Sequence, residues 1–180
     1  MKVVVSILFL SVVLSGCTTI PAAVDRPLAE PQPEPAQVQR DPDQYRGQVA
    51  RWGGSIIAVE NTRDASVVEV VARPLQSNSR PDEGGMSPGR FVIVTHGFLD
   101  PEIFTPGKAI TAVGTLDGIQ VRKVGEYEYS YPVLRAEGYH LWAPRPERRV
   151  HDPYWDHPWG YPYGPSPYWR HPYYYPYYFW

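Results

Sequence analysis

Arg90-Phe-Val-Ile-Val-Thr-His-Gly-Phe-Leu-Asp-Pro-Glu-Ile-Phe-Thr-Pro-Gly-Lys-Ala-Ile-Thr-Ala-Val-Gly-Thr-Leu116 holds the order of elements that decides the fold. Arg90 to Phe98 is a run of β-branched and aromatic residues and reads as a strand. Asp100 then stands as an N-cap, Pro101 at the first helical position and Glu102 in the first turn, and Pro106-Gly107 stop that turn almost at once. Lys108 to Leu116 returns to strand character. The stretch therefore predicts strand, short helical turn, strand.

Upstream, Gln48 to Glu60 reads as a first strand, with Gly53-Gly54 in its middle marking a bulge or a sharp bend. Asn61 to Ala65 is a polar turn, Ser66 to Leu75 a second strand, and Gln76 to Gly89 a long loop rich in Ser, Asn, Gly and Pro. Downstream, Tyr131 to Trp142 supplies a fifth strand. Asp41-Pro42-Asp43-Gln44-Tyr45-Arg46-Gly47 repeats the helix-start logic just before the first strand. Five strands with a helical element between the third and fourth match an all-β, five-stranded OB-like barrel, although other small barrels share that order. The domain spans residues 41–142, about a hundred residues, enough for one small core.

The chain begins as an exported protein does. Lys2 gives a short positive start, and Val3 to Leu14 is apolar apart from Ser6 and Ser11, too short to span a bilayer. Residues 1–16 thus read as a signal peptide. The stretch ends in Leu14-Ser15-Gly16-Cys17, which resembles the bacterial lipobox. Cys17 is the only cysteine, so no intramolecular disulfide is available to it. By that resemblance, cleavage before Cys17 leaves a cysteine carrying S-diacylglycerol and an N-acyl chain, and more than one buried chain holds a protein stably on a membrane. In the Gram-negative lipoproteins that this start resembles, an Asp after the cysteine favours the inner membrane; Thr18 stands there instead, so the resemblance implies the outer membrane and a periplasm-facing anchor. Residues 17–40 are rich in proline and charge with few large apolar side chains, and they read as a semi-extended tether holding the domain tens of ångströms from the lipid.

Gly47-Gln-Val-Ala-Arg-Trp-Gly-Gly-Ser-Ile56, Gly89-Arg-Phe91, Gly97 to Gly107, Ala112-Val-Gly-Thr115, Val124-Gly-Glu-Tyr127, Tyr131-Pro-Val133 and Glu137-Gly-Tyr-His-Leu-Trp142, in this order behind a lipobox, resemble the Slp family of outer-membrane lipoproteins. The resemblance runs up to Trp142. It implies an outer-membrane lipoprotein induced in starvation or stationary phase and linked to envelope stress, and it implies no reaction.

Chemistry in the residues themselves is sparse. With Cys17 given to lipid, His96, His140 and scattered carboxylates form no pattern of nucleophile and base or of metal ligands, so no catalytic residue, metal or cofactor is expected. Glu126, Glu128 and Glu137 read as solvated strand positions or partners of Arg122, Lys123 and Arg135. A formal net charge of −2 argues against nucleic acid, which demands a basic field. Trp52, Tyr127 and Tyr129, with Tyr45 and Tyr131, could instead form a stacking surface for a glycan or peptide, or equally serve as core and cross-strand packing.

Residues 143–180 form a low-complexity extension. From His151 to Trp180 nearly half the residues are aromatic, interleaved with proline and glycine, as in Pro172-Tyr-Tyr-Tyr-Pro-Tyr-Tyr-Phe-Trp180. Proline at this density opposes helix and central strand alike, so these rings are read as adhering to a membrane surface, an envelope protein or a glycan, or as having no partner. His151, Asp152, Asp156, His157 and His171 fit no standard metal spacing.

Overall fold

A computed structural model describes residues 19–145. The lipobox Leu14, Ser15, Gly16 and Cys17 and the aromatic segment from residue 146 onward lie outside the described residues.

Two short helices, α1 (Pro35–Arg40) and α2 (Pro42–Tyr45), precede five strands: β1 (Val49–Asn61), β2 (Ala65–Arg73), β3 (Arg90–His96), β4 (Ala109–Val124) and β5 (Tyr127–Leu141). The strands close into a barrel in the order β1-β2-β3-β5-β4. All pairings are antiparallel except that of β3 with β5, where Val92 lies opposite Val133. This is the OB strand order, and closure leaves the sheet without a continuous open edge.

The alternation of each strand explains the interior. Trp52 and Ile56 of β1, Val68 and Val70 of β2, Phe91 and Ile93 of β3, Ile110 and Leu116 of β4 and Leu134 of β5 fill one cluster, and each large apolar side chain so buried contributes about 1.5–3 kcal/mol. Trp52 meets Phe91 edge to face at 5.2 Å. The turn after β3 forms where Asp100 predicted it: the amides of Ile103 and Phe104 both donate to the Asp100 carbonyl at 2.9 Å, and Leu99 and Phe104 enter the core.

Gly53-Gly54 marks the place where β1 bends from one neighbour to the other, since Gly53, Gly54 and Ser55 pair with both β2 and β4. A Cβ on Gly54 would lie 1.8 Å from the Val71 carbonyl oxygen, so only glycine fits that bend. The register slip of β1 comes later, between Ile56 and Ala58.

Three sequence expectations need correction. The fourth and fifth strands were expected over Lys108–Leu116 and Tyr131–Trp142, but β4 and β5 run on as a long hairpin that turns at Gly125-Glu126. Charged residues there, exposed at Lys123, Glu126 and Glu128 and paired with Glu60 at Arg122, conceal the alternation. Part of this hairpin joins a second apolar cluster, in which Val92, Tyr131 and Val133 are covered by Val67, Val94, Val124 and Tyr129.

The expected ion pairs are also rearranged. Arg122 pairs with Glu60, Arg135 with Asp117, and Glu137 with Arg26 at 2.8 Å, because fold geometry and not sequence proximity sets which charges meet.

The third correction concerns the tether. Residues 19–40 are laid on the barrel, with Val24 and Val38 fully buried. At Arg51, β1 pairs with β4 but its pairing with β2 has not begun, and the amide left over there donates to Gln32 Oε1 at 3.1 Å. The indole N–H of Trp52 donates to the Pro33 carbonyl at 2.7 Å, and Arg51 Nη2 to the Arg26 carbonyl at 2.9 Å. The segment has few large apolar side chains, yet two of them are buried, its carbonyls meet barrel donors and its prolines lower the entropy lost on ordering.

Candidate functional site

The docked segment walls a groove. Gln32, Pro33, Glu34 and Pro35 form one side, Arg51, Trp52 and Gly53 the floor, and the end of β2 with Met86, Ser87 and Pro88 of the long loop the other side, enclosing about 540 Å³. That volume falls within the range of small-ligand pockets. Glu34 is fixed by a capping box: its backbone amide donates to Gln37 Oε1 at 2.8 Å, and its own side chain accepts from the Gln37 amide.

Two cations, Arg51 and Arg73, stand in a mixed lining that also holds Gln32, Glu34 and Ser87. Arg51 Nη1 donates to Ser79 Oγ at 3.1 Å, and Arg73 Nη1 to the Gly85 carbonyl at 2.7 Å, so both guanidinium groups are aimed by neutral oxygens. Neither forms an ion pair among the described residues, and the Nε of each is buried without a hydrogen-bond partner. A guanidinium held in place but not neutralised favours a carboxylate or phosphate. Arg80 differs in having an acidic partner, Glu83 at 3.9 Å; its guanidinium lies over the Trp142 ring at 5.4 Å and its Nη2 donates to the Ala143 carbonyl at 2.8 Å.

The residues singled out for stacking are not brought together. Trp52 is a core residue that lines the groove floor. Tyr129 belongs to the second cluster, where it packs edge-on against Tyr131 at 4.7 Å and accepts from the Arg90 amide. Tyr127 is exposed at the start of β5. Sequence reading reached Trp52 but missed Arg51 and Arg73, whose signal was their place on the same strand face as Gly53, opposite the long loop.

His96 is exposed at the end of β3, and His140 stacks edge-on against Trp142 at 4.5 Å. Among the described residues no group of three or more His, Cys, Asp or Glu could hold a metal ion. Among the described residues, displaced titration is found at Tyr131 and Arg90, which meet at Glu69. Tyr131 Oη donates to Glu69 Oε1 at 2.6 Å, and Arg90 Nη1 donates to the same oxygen at 2.9 Å. Burial pushes the Tyr131 phenol up, with Glu69 adding to the effect, and at Arg90 the rise is led by hydrogen bonding of its guanidinium toward the Tyr131 oxygen, with Glu69 adding to it.

Barrel and groove together make a small OB-like barrel whose own N-terminal segment walls one side of the groove. The family model of the outer membrane lipoprotein Slp family matches residues 14–180, and the chain belongs to that family. The match extends through the aromatic tail, which sequence reading had set outside the shared motifs. Among relatives, the uncharacterized lipoprotein YeaY of Escherichia coli K12 is 35% identical over 159 residues, covering 86% of this chain and 81% of that one. Outer membrane protein Slp of the same strain is 31% identical over 158 residues, covering 86% and 82%. Among solved structures, a small single-stranded DNA-binding protein from Streptomyces coelicolor aligns with a TM-score of 0.32 and 13% identity, over 53% of this chain and 94% of that one. A DUF3299 family protein from Pseudomonas aeruginosa PAO1 aligns with a TM-score of 0.35 and 14% identity, over 72% and 94%. Likeness at that level carries no ligand across. Family membership makes this an outer-membrane lipoprotein.

Proposed function

We propose that the chain is a non-enzymatic contact module of the envelope, cut before Cys17, held by S-diacylglycerol and an N-acyl chain on that cysteine, and facing the periplasm. Its groove takes an extended, carboxylate-bearing peptide or glycopeptide. The observation that carries this reading is the pair Arg51 and Arg73, both lining a groove of about 540 Å³ and neither ion-paired among the described residues. Two fixed positive charges outnumber the one carboxylate of the lining, that of Glu34, which the capping box engages, and so orient an anionic ligand, while the prolines, Trp52 and Met86 supply contact area. The family resemblance adds service under starvation, and the tail from His151 to Trp180 supplies a second adhesive contact with an envelope protein or glycan.

Titration with soluble peptidoglycan fragments, which combine sugar and carboxylate, tests the groove. Binding should weaken at least about tenfold in Arg73→Glu and fall with added salt, since a lost charge-assisted contact is worth about 1.5–3 kcal/mol. Equal binding by Arg73→Glu and the unaltered chain would exclude the groove. Loss of binding only on deleting His151 to Trp180 would move the contact to the tail.

A further inference from the structure

The first well-docked residues lie very close in sequence to Cys17. Ile20 is already half-buried, the Val24 amide donates to the Pro21 carbonyl at 2.9 Å in a tight turn, and Val24 is fully buried. Beyond the turn the segment is fastened again, by Arg26 to Glu137 and by the Arg26 carbonyl to Arg51. The turn sits on β5 at Gly138, where a Cβ would lie 2.0 Å from the Ala23 carbonyl oxygen. That glycine leaves the space the strap occupies.

Chain length then limits where the barrel can be. Cys17 to Ile20 is three residue steps, at most about 10 Å, and Cys17 to the Val24 dock at most about 25 Å, at roughly 3.3–3.6 Å per step. A free tether of residues 17–40 in polyproline II would reach about 70 Å at 3.1 Å per residue. The docked strap removes most of that reach.

We propose that the outer face of β4 and β5 around Gly138 is the membrane-facing surface of the protein, with the phospholipid headgroups of the leaflet that holds Cys17 as its partner. The inference rests on the Cys17 anchor proposed above. Arg26 with Glu137 and Arg135 with Asp117 balance one another on this part of the barrel, so it presents mixed charge and suits zwitterionic headgroups. The strap sets orientation as well as distance: the start of the chain is pinned to one face, and the hairpin turn at Glu126 lies about 40 Å of strand away from Gly138.

Acylation consumes Cys17, the sole cysteine, so an introduced cysteine is the only free thiol of the lipidated full chain. A fluorophore on Arg135→Cys, exposed on β5 near Gly138, or on Glu126→Cys is reconstituted into phosphatidylcholine vesicles containing a lipid with a nitroxide on its headgroup. Quenching should be several-fold stronger at position 135 than at position 126. Adding Gly138→Ala, whose methyl meets Ala23 and otherwise only ordinary contacts, should bring position 135 down toward the level of position 126 while the far-ultraviolet spectrum stays that of a β-barrel. A ten-residue Gly-Ser insertion between Thr18 and Thr19 should do the same without touching the dock. Vesicle-bound protein quenched equally at both positions would overturn the orientation alone. Protein that fails to float with the vesicles would overturn the Cys17 anchor, and the orientation with it.

Discussion

The indole N–H of Trp52 donates to the backbone carbonyl of Pro33 at 2.7 Å, joining a core residue of β1 to the proline-rich segment that precedes the barrel. One side chain thus fills the core, floors the groove and holds the groove's outer wall. Truncation and removal of the hydrogen bond should therefore separate.

Trp52→Ala should cost about 3–5 kcal/mol, because it opens a large cavity among Phe91, Ile56 and Val70. Trp52→Phe keeps much of the volume but leaves the Pro33 carbonyl without its donor, at about 1–3 kcal/mol. Denaturant unfolding measures both. In Trp52→Phe, limited proteolysis should also cut residues 25–34 sooner than the barrel strands, and unchanged cleavage there would mean the bond does not hold the strap.

Tyr131 offers a titration with a definite sign. Its phenol is fully buried against Glu69 and is held above the ordinary value of about 10. The folded state therefore holds the proton more tightly than the unfolded chain. Its contribution to stability is complete below about pH 10 and is lost as pH rises through the folded value. Tyr131→Phe should cost about 1 kcal/mol at neutral pH and show a shallower fall in stability above about pH 10 than the unaltered protein. Parallel slopes for the two would remove Tyr131 as the source.

The strand order was legible because Asp100-Pro101-Glu102 and Pro106-Gly107 confine a helical turn between two β-branched runs, and the observed barrel has that turn in that place. The extended hairpin was not legible, since the exposed charges Lys123, Glu126 and Glu128 and the Glu60 partner Arg122 interrupt the apolar alternation around its turn. The strap was least legible of all. Its docking depends on the spare amide of Arg51, the Trp52 indole and the missing side chain of Gly138, none of which lies in the strap's own sequence. Arg51 and Arg73 escaped notice for a related reason: a cation signals a site only when its lack of an acidic partner is known.

Lipidation is open to a direct test at residues outside the described part of the chain. Cys17→Ser should either halt processing or release a soluble mature protein, read by fractionation and by labelling with palmitate. Thr18→Asp should move a share of the protein to the inner membrane. Mature, unlipidated Cys17→Ser protein still fractionating with the outer membrane would refute the anchor.

Three glycines on adjacent strands separate the barrel from its strap. Cβ atoms at Gly54 and Gly114 would lie 1.8 Å and 2.0 Å from the carbonyl oxygens of Val71 and Arg135, which belong to the neighbouring strands themselves. A Cβ at Gly138 would lie 2.0 Å from the Ala23 carbonyl, which belongs to the strap. The three clashes are equally severe on paper, but the groups that must yield differ. In Gly54→Ala or Gly114→Ala a strand has to move out of a closed barrel and its ladder hydrogen bonds are strained, so each should cost about 3 kcal/mol or more. In Gly138→Ala the strap can lift while every strand stays paired, so the cost should be limited to the strap's own contacts, about 1–2 kcal/mol. Hydrogen exchange distinguishes the cases. Gly138→Ala should speed exchange at Val24 and at the Arg51 amide while the β1–β2 and β4–β5 ladders stay protected, and Gly114→Ala should speed exchange along the β4–β5 ladder. Loss of protection throughout the barrel in Gly138→Ala would show that strap and barrel fold as one cooperative unit, with the strap needed for closure.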